Sequence, residues 1–243
     1  MAGISAGLGG QINNNIQTDG LIVYLDAAYK KSYPKTGTTW TDLSSGGNDG
    51  TLTNGPTFNS DNGGSITFDG SNDYADISSG IGMASDSSHT GCAWIRMPNV
   101  SDTDRRFFFE SADDSNNFVL SLAWRNNTSQ NIFQAWTTDG GGSNYTSADS
   151  TTNPVDDTWY YVCQRTDSTA NTLDIFVNGI KEGTSTSATF TIDSFDSMAI
   201  GTYRSKNDRY MKGNISNVTI YNRALLDGEI TQNYNAQKGR FGY

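Results

Sequence analysis

The sequence predicts an all-β fold, a two-sheet antiparallel jelly-roll sandwich with one short C-terminal helix. Three observations predict it. The chain of 243 residues is rich in Thr, Tyr, Phe and turn-forming Gly, and it contains only three glutamates. Roughly a dozen short apolar or alternating runs are separated by turn residues. Asn178-Gly179 between two such runs is a strong hairpin signal.

The predicted strands follow one another with turn chemistry between them. They lie at 21–25, 65–68, 74–77, 91–97, 106–110, 117–124, 131–137, 159–165, 172–177, 180–183, 198–203 and 214–221. The predicted helix follows the last strand. Leu226, Ile230 and Tyr234 recur there at helical spacing, and Asp227 is the predicted N-cap.

Three segments divide the chain: an arm at 1–18, a sandwich at 19–236 and an aromatic tail at 237–243. The arm is rich in glycine, which favours flexibility. Its apolar residues recur every four positions, so the alternative is an arm that docks on another subunit. These residues are Ile4, Leu8, Ile12 and Ile16.

Charge and hydropathy exclude several classes of partner. The formal net charge is −10, so the surface repels phosphate backbones and nucleic acid is not expected as a partner. No basic segment followed by an apolar run opens the chain, and no apolar stretch is long enough to span a membrane. We therefore expect cytoplasmic synthesis without a secretion signal and no membrane insertion.

Two interpretations are open for the cysteines. Cys92 and Cys163 each lie in a predicted core strand. We favour two buried thiols that pack as small apolar groups. A single bridge between the two strands is the alternative.

The sequence has few residues in patterns that are typical of a catalytic site, and we expect that the protein is not an enzyme. A glycosidase needs two carboxylates that flank the scissile bond, but Glu110, Glu182 and Glu229 lie far apart in the chain. His89 is the one histidine, which we interpret as a loop residue rather than a catalytic base.

Calcium is the one cofactor that the sequence suggests. Two turn-rich segments supply the carboxylate and amide oxygens that Ca²⁺ prefers, although neither has the spacing of a defined calcium loop. The alternative is that these are ordinary solvated turns. The candidate ligands are Asp42, Asn48, Asp49, Asp69 and Asp73.

Two loops carry aromatic and polar side chains of the kind that recognise glycan or protein, with ordinary surface loops as the alternative. The candidate ligand-binding residues are Asp139, Asn144 and Tyr145 in one loop, and Tyr203, Arg204 and Tyr210 in the other.

Several segments together resemble, in order and spacing, the laminin-G-like branch of the concanavalin A-like lectin and glucanase superfamily. They are 20–27, 40–52, 68–74, 93–95, 159–162, 176–179 and 213–225. The resemblance implies a jelly roll over nearly all of 19–236. On physical grounds, Trp94 and Trp159 suit the space between the two sheets.

The Gly-rich arm and the segments 18–21 and 33–40 also resemble laminin-G-like proteins in virions of tailed bacteriophages. That resemblance implies a non-catalytic structural or adhesive protein at the virion surface: a capsid decoration, fibre or tail-associated protein. Its partners would be other virion proteins or further copies of itself, with host-surface glycan as an option. The alternative is a free-standing calcium-dependent lectin module. A glycan hydrolase is the least favoured interpretation.

Overall fold

The computed structural model describes residues 15–78, 80–81, 83, 88–100, 105–112, 118–127, 129–138, 145–186 and 197–243. Over these residues the chain forms two antiparallel sheets stacked as a sandwich, with one α-helix near the C-terminus. The predicted all-β jelly-roll class is confirmed.

Sixteen strands lie in the described residues. In chain order they are β1 (Leu21–Asp26), β2 (Thr39–Trp40), β3 (Gly50–Thr53), β4 (Thr57–Asn59), β5 (Ser65–Asp69), β6 (Tyr74–Ile77), β7 (His89–Arg96), β8 (Arg105–Ala112), β9 (Phe118–Asn127), β10 (Gln130–Thr138), β11 (Tyr145–Asp149), β12 (Trp159–Asp167), β13 (Thr172–Val177), β14 (Ile180–Ser185), β15 (Ser197–Ile200) and β16 (Lys212–Tyr221). Helix α1 spans Asp227–Gln237, and short 3-10 turns lie at Asp61–Gly63 and Lys238–Arg240.

The two sheets have eight strands each. The first sheet has the order β14-β13-β12-β7-β16-β5-β4, and β1 also pairs with β16. The second sheet has the order β11-β10-β9-β8-β15-β6-β3-β2. Gly70, with φ 81°, lies in the turn between β5 and β6. These strands belong to different sheets, so the turn carries the chain across the sandwich instead of closing a hairpin.

The Asn178-Gly179 hairpin is confirmed. Val177 pairs with Ile180, and both turn residues have positive φ, 51° and 80°. That is the backbone of a tight turn whose twist matches the flanking strands.

The main core lies between the sheets, and a second apolar cluster lies on the outer face of the first sheet, under α1 and the C-terminal residues. Alternation along β7 divides its side chains between them. Ala93 and Ile95 face the inter-sheet core, whereas Trp94 joins the outer cluster. Trp159 joins it too, so the expectation that Trp94 and Trp159 fill the space between the sheets is wrong.

Cys92 and Cys163 lie directly opposite each other on β7 and β12, and they form a disulfide. The favoured interpretation as two free thiols is therefore wrong, and the alternative of one bridge holds. The antiparallel register brings the two residues side by side, and that register is not visible in either strand alone.

Two further local expectations are corrected. His89 is fully buried at the start of β7 and is not a loop residue. Asp227 is the first residue of α1, but it does not cap it. Instead, the Glu229 carboxylate accepts the Leu226 N–H at 2.8 Å, and Asp227 accepts a hydrogen bond from Arg165 at 2.6 Å.

Both chain ends of the described region pack on the sandwich. The Gln17 N–H donates to Asn233 Oδ1 at 2.7 Å, and the Tyr221 hydroxyl donates to Gln17 O at 3.0 Å. At the other end, the Phe241 ring stacks on Trp94 with centroids 4.0 Å apart. The division into arm, sandwich and tail remains a prediction, and residues 15–18 and 237–243 are held against the first sheet.

None of the helices in the described part of the chain is long and apolar enough to cross a membrane.

Candidate functional site

A pocket of about 330 Å³ opens on the outer face of the second sheet, which we call the outer pocket. Side chains that alternate outward from β8 to β11 form its floor and one wall, and the 201–211 loop closes the other wall. It is lined by Arg105, Phe107, Glu110, Ser121, Arg125, Gln134, Trp136, Tyr145, Ser147, Tyr203 and Arg209.

Aromatic rings form the floor and rim of the outer pocket. Phe107 and Trp136 are buried in the floor with centroids 5.8 Å apart, and the half-buried Tyr203 lies 5.4 Å from Phe107. Tyr145 at the rim is 70% exposed. The buried rings therefore form the floor of the pocket, and Tyr145 is its exposed ring. Tyr203 is half-buried, and the Arg204 guanidinium lies 4.3 Å from the centroid of its ring.

Arginine side chains meet over these rings. The Arg105 guanidinium lies 4.5 Å from the centroid of Trp136, and that of Arg209 lies 4.7 Å from the centroid of Tyr203. Burial lowers the pKa of Arg105, and the nearby charges of Arg125 and Arg209 lower it further. These cations are thus close enough to repel one another.

Glu110 is the one carboxylate among the described lining residues of the outer pocket. It is 1% exposed, and it accepts the Ser121 hydroxyl at 2.9 Å and the Arg204 backbone N–H at 2.8 Å. The Arg204 guanidinium is 3.6 Å away. Burial raises the pKa of Glu110 to about 7, although these contacts act in the opposite direction.

The opposite wall supplies neutral polar groups. The Gln134 side chain accepts a hydrogen bond from Arg125 at 3.5 Å and donates one to Asp149. Ser147 lies beside it on β11. The pocket therefore combines amide, hydroxyl and guanidinium groups with aromatic rings.

The structure brings together only part of the predicted ligand-binding set. Tyr145 and Tyr203 line the outer pocket. Arg204 lies behind it, against Glu110, and the Tyr210 hydroxyl donates to Lys206 O at 2.6 Å. Asp139 and Asn144 lie outside the described residues. Sequence reasoning missed the lining residues that lie within strands, whose only signal is their alternate spacing along β8 to β11. They are Arg105, Phe107, Glu110, Ser121, Arg125, Gln134, Trp136 and Ser147.

The four predicted aspartate ligands of calcium accept hydrogen bonds that close loops, and the Asn48 side chain donates to Ile22 O at 2.7 Å. Asp42 accepts the Tyr24 and Ser44 N–H groups on one carboxylate oxygen, at 2.7 and 2.9 Å. The other oxygen accepts the Ser44 hydroxyl and the Asn48 N–H, at 2.7 and 2.9 Å.

Asp49 accepts the Asp42 N–H at 2.8 Å, Asp69 accepts the Ser71 N–H at 2.7 Å, and Asp73 accepts the Asp69 N–H at 3.1 Å. In the described ranges, no group of three or more His, Cys, Asp or Glu residues could hold a metal ion. Calcium binding remains a prediction.

One of the four predicted docking residues of the arm lies in the described part of the chain, and three lie outside it. Ile16 is buried within the domain, and Ile4, Leu8 and Ile12 lie outside the described residues. Docking of the arm on a partner remains a prediction.

Residues 69–231 match the profile of the Laminin_G_3 family, of the concanavalin A-like lectin/glucanases superfamily. The match covers well over half of the chain, which therefore belongs to this family. Its fold is accordingly that of a lectin-like sandwich. No curated protein sequence matches the chain.

Solved structures share the fold at low sequence identity. Domain 4 of AbnA, an extracellular arabinanase from Geobacillus stearothermophilus in complex with arabinotriose, has a TM-score of 0.67 and 14% identity, over 91% of this chain and 100% of that chain. The botulinum neurotoxin serotype D ligand-binding domain in complex with N-acetylneuraminic acid has a TM-score of 0.68 and 14% identity, over 90% of this chain and 52% of that chain.

The binding domain of Paraclostridial Mosquitocidal Protein 1 has a TM-score of 0.69 and 15% identity, over 93% of this chain and 53% of that chain. The chain thus spans all of the arabinanase domain but about half the length of the toxin domains.

Proposed function

We propose that this chain is a non-catalytic carbohydrate-binding module and that the outer pocket holds the sugar. The observation that carries the proposal is the placement of Tyr145 and Tyr203 at a pocket that also presents amide, hydroxyl and guanidinium groups. An aromatic ring packs on the apolar face of a sugar, and planar polar groups bond to its hydroxyls. Two of the fold neighbours, the arabinanase domain and the neurotoxin domain, are described in complex with sugars.

The non-catalytic part of the proposal rests on the carboxylates. Hydrolysis of a glycosidic bond by the usual route needs a pair of them. Glu110 is the single carboxylate among the described lining residues, and both of its oxygens accept hydrogen bonds. We expect no release of reducing sugar from oligosaccharides that the protein binds.

The test is binding of neutral and acidic oligosaccharides by titration calorimetry, with Tyr145→Ala and Tyr203→Ala. Tyr74→Ala is the matched control, because Tyr74 is a half-buried tyrosine of the second sheet that does not line the pocket. We expect at least one oligosaccharide to bind and each pocket variant to weaken it about fivefold or more, since an aromatic contact contributes about 1 kcal/mol. Lack of binding to every oligosaccharide, or equal binding by all variants, would contradict the proposal.

We also propose where the module acts. The resemblance of the opening segments to tailed-phage virion proteins supports display at a virion surface, with the arm as the attachment. Deletion of residues 1–14 tests this, because it leaves the contacts of Gln17 with α1 in place. We expect the full chain to self-associate, or to bind capsid or tail particles, in light scattering and co-sedimentation, and the truncated chain to lose both. Assembly that survives the deletion would contradict the attachment role.

A further inference from the structure

The outer pocket has a charge opposite to that of the whole chain. The protein carries 26 acidic against 16 basic side chains, yet among the described residues three arginines and a single carboxylate line this pocket. A local cluster of one charge sign within a surface of the other sign selects ligands of the opposite charge.

The carboxylate balances these arginines only in part. Glu110 lies in the floor, and the Arg204 backbone N–H and guanidinium lie next to one of its oxygens, at 2.8 and 3.6 Å. Its own charge is therefore matched by a fourth cation outside the lining. The pocket as a whole carries an excess of positive charge.

Within the part of the chain that the structure describes, two of the lining arginines have only weak polar contacts. Arg125 meets the neutral amide of Gln134 at 3.5 Å. The nearest carboxylate to Arg209 is that of Asp208 at 3.6 Å, which is half exposed and therefore well screened by water. Burial is the main cause of the lowered pKa of Arg105, and the charges of Arg125 and Arg209 lower it further. An anion bound among the three arginines would relieve their mutual repulsion.

We propose that the outer pocket recognises an acidic sugar, that is, a carbohydrate bearing a carboxylate or a sulfate group. This inference rests on the proposed carbohydrate-binding function and adds the chemical class of its ligand. The guanidinium fork of Arg125 and that of Arg209 bind the acidic group, because a planar fork matches two oxygens of one anion. Tyr145 and Tyr203 bind the sugar ring beside it.

The experiment compares ligands that differ only in the acidic group. Trigalacturonic acid is set against galactotriose, and galactose 6-sulfate against galactose, in titration calorimetry at low and high salt. The variants are Arg125→Gln and Arg209→Gln, which keep side-chain length and polarity. Lys31→Gln is the matched control, since it removes the same charge from an exposed position that does not line the pocket.

We expect each acidic sugar to bind at least about tenfold more tightly than its neutral counterpart, because hydrogen bonds to a charged group are about twice as strong as neutral ones. Each pocket variant should remove most of that difference in affinity, and the Lys31→Gln control should bind as the wild type does. High salt should weaken the binding of the acidic sugars only. The carboxylated and sulfated pairs show which acid the forks prefer.

Three outcomes would overturn the inference, and they are distinguishable. If acidic and neutral sugars bind equally and this binding is lost in Tyr145→Ala, the carbohydrate-binding function stands and the preference for an acidic sugar is rejected. Absence of binding by any sugar would reject both. Preference for the acidic sugars that persists in Arg125→Gln and Arg209→Gln would place their site elsewhere and also reject the inference.

Discussion

Glu110 accepts a hydrogen bond from the backbone N–H of Arg204, with Oε2 2.8 Å from the nitrogen, and the guanidinium of the same arginine lies 3.6 Å from that oxygen. The contact ties the 201–211 loop to the floor of the outer pocket. Burial is nevertheless the largest influence on the pKa of Glu110, which it raises to about 7 from an ordinary value of 4.5. The acid that holds this loop is thus also one whose pKa is raised.

The first expected outcome concerns stability. Because the pKa of Glu110 is higher in the folded state, the folded protein binds this proton more tightly than the unfolded chain does. The resulting stability is fully present at acid pH and is lost as pH rises to about 7. Over this range the wild type should lose up to about 3 kcal/mol relative to Glu110→Gln, since a tenfold change in proton affinity corresponds to about 1.4 kcal/mol. Urea denaturation of both proteins across pH measures this, and parallel curves would contradict it.

The second expected outcome concerns the C-terminal residues. Phe241 is buried, stacks on Trp94 at 4.0 Å and contacts Trp159 at 4.8 Å. Phe241→Ala should lower the free energy of unfolding by about 3 kcal/mol, because it leaves a cavity in the outer cluster. Leu226→Ala is the control: Leu226 is 69% exposed, so its truncation should change stability by less than about 0.5 kcal/mol. Equal stability of the two variants in chemical denaturation would show that the tail is not part of the folded unit.

Much of the fold can be predicted from local sequence, since all the predicted strands and the helix are present. The strands that were missed, β2, β3, β4 and β11, have two to five residues and mostly polar sequences, such as Gly50–Thr53. Their strand conformation comes from pairing with longer neighbours, for example β11 with β10. Local pattern cannot show such pairing.

The site is less predictable for a related reason. Tyr145 and Tyr203 were predicted because aromatics in polar segments are conspicuous. Arg125 and Trp136 lie within strands, where alternation shows that a residue faces one side or the other but not which side is the core. The same ambiguity misplaced Trp94, which lies one residue from the inward-facing Ala93 and Ile95.

The third expected outcome concerns the disulfide. Cys92–Cys163 closes a loop with a sequence separation of 71 residues and lies in the outer cluster. The double variant Cys92→Ala/Cys163→Ala should lose about 2–4 kcal/mol of stability. Reductant should destabilise the wild type by a similar amount and leave the double variant unchanged. Alkylation of both cysteines in denatured, unreduced protein would show instead that they are free thiols.

The fourth expected outcome concerns a buried ion pair. The Asp26 carboxylate is fully buried and is bound by Arg240 at 2.8 Å. Arg240→Gln should cost about 3 kcal/mol, because it leaves a buried charge without its cation. Burial raises the pKa of Asp26 and Arg240 lowers it, so the variant should hold a proton on Asp26 more readily and its deficit should shrink as pH falls.

The double variant Asp26→Asn/Arg240→Gln is the control for the fourth outcome. It carries no charge at either position, so it should be more stable than Arg240→Gln alone at neutral pH. A deficit of Arg240→Gln that is constant with pH and unchanged in the double variant would mean that lost packing of the Arg240 stem, and not an uncompensated charge, accounts for it.

The last expected outcome joins Glu110 to the proposed ligand. Around its carboxylate lie charged and titratable groups from the second sheet and from the 201–211 loop. They are Arg105 on β8, Arg125 on β9, Tyr145 on β11, Asp76 on β6 with its partner Lys206, and Tyr203, Arg204, Asp208 and Arg209 in the loop. The arginines stay charged at all pH values of interest, so protonation of Glu110 makes the pocket more positive.

Affinity for an acidic sugar should therefore rise as pH falls from about 8 to about 6, through the pKa of Glu110 at about 7. Removal of one nearby negative charge is worth about 1 kcal/mol, which is about a fivefold change in Kd. Titration calorimetry of trigalacturonic acid across this range measures it. Glu110→Gln should bind with the tighter, acid-pH affinity at every pH, because its side chain is always neutral. A pH dependence that persists unchanged in Glu110→Gln would assign the effect to another titrating group. Equal affinity of the wild type at both ends of the pH range would show that the charge of Glu110 does not influence binding of the ligand.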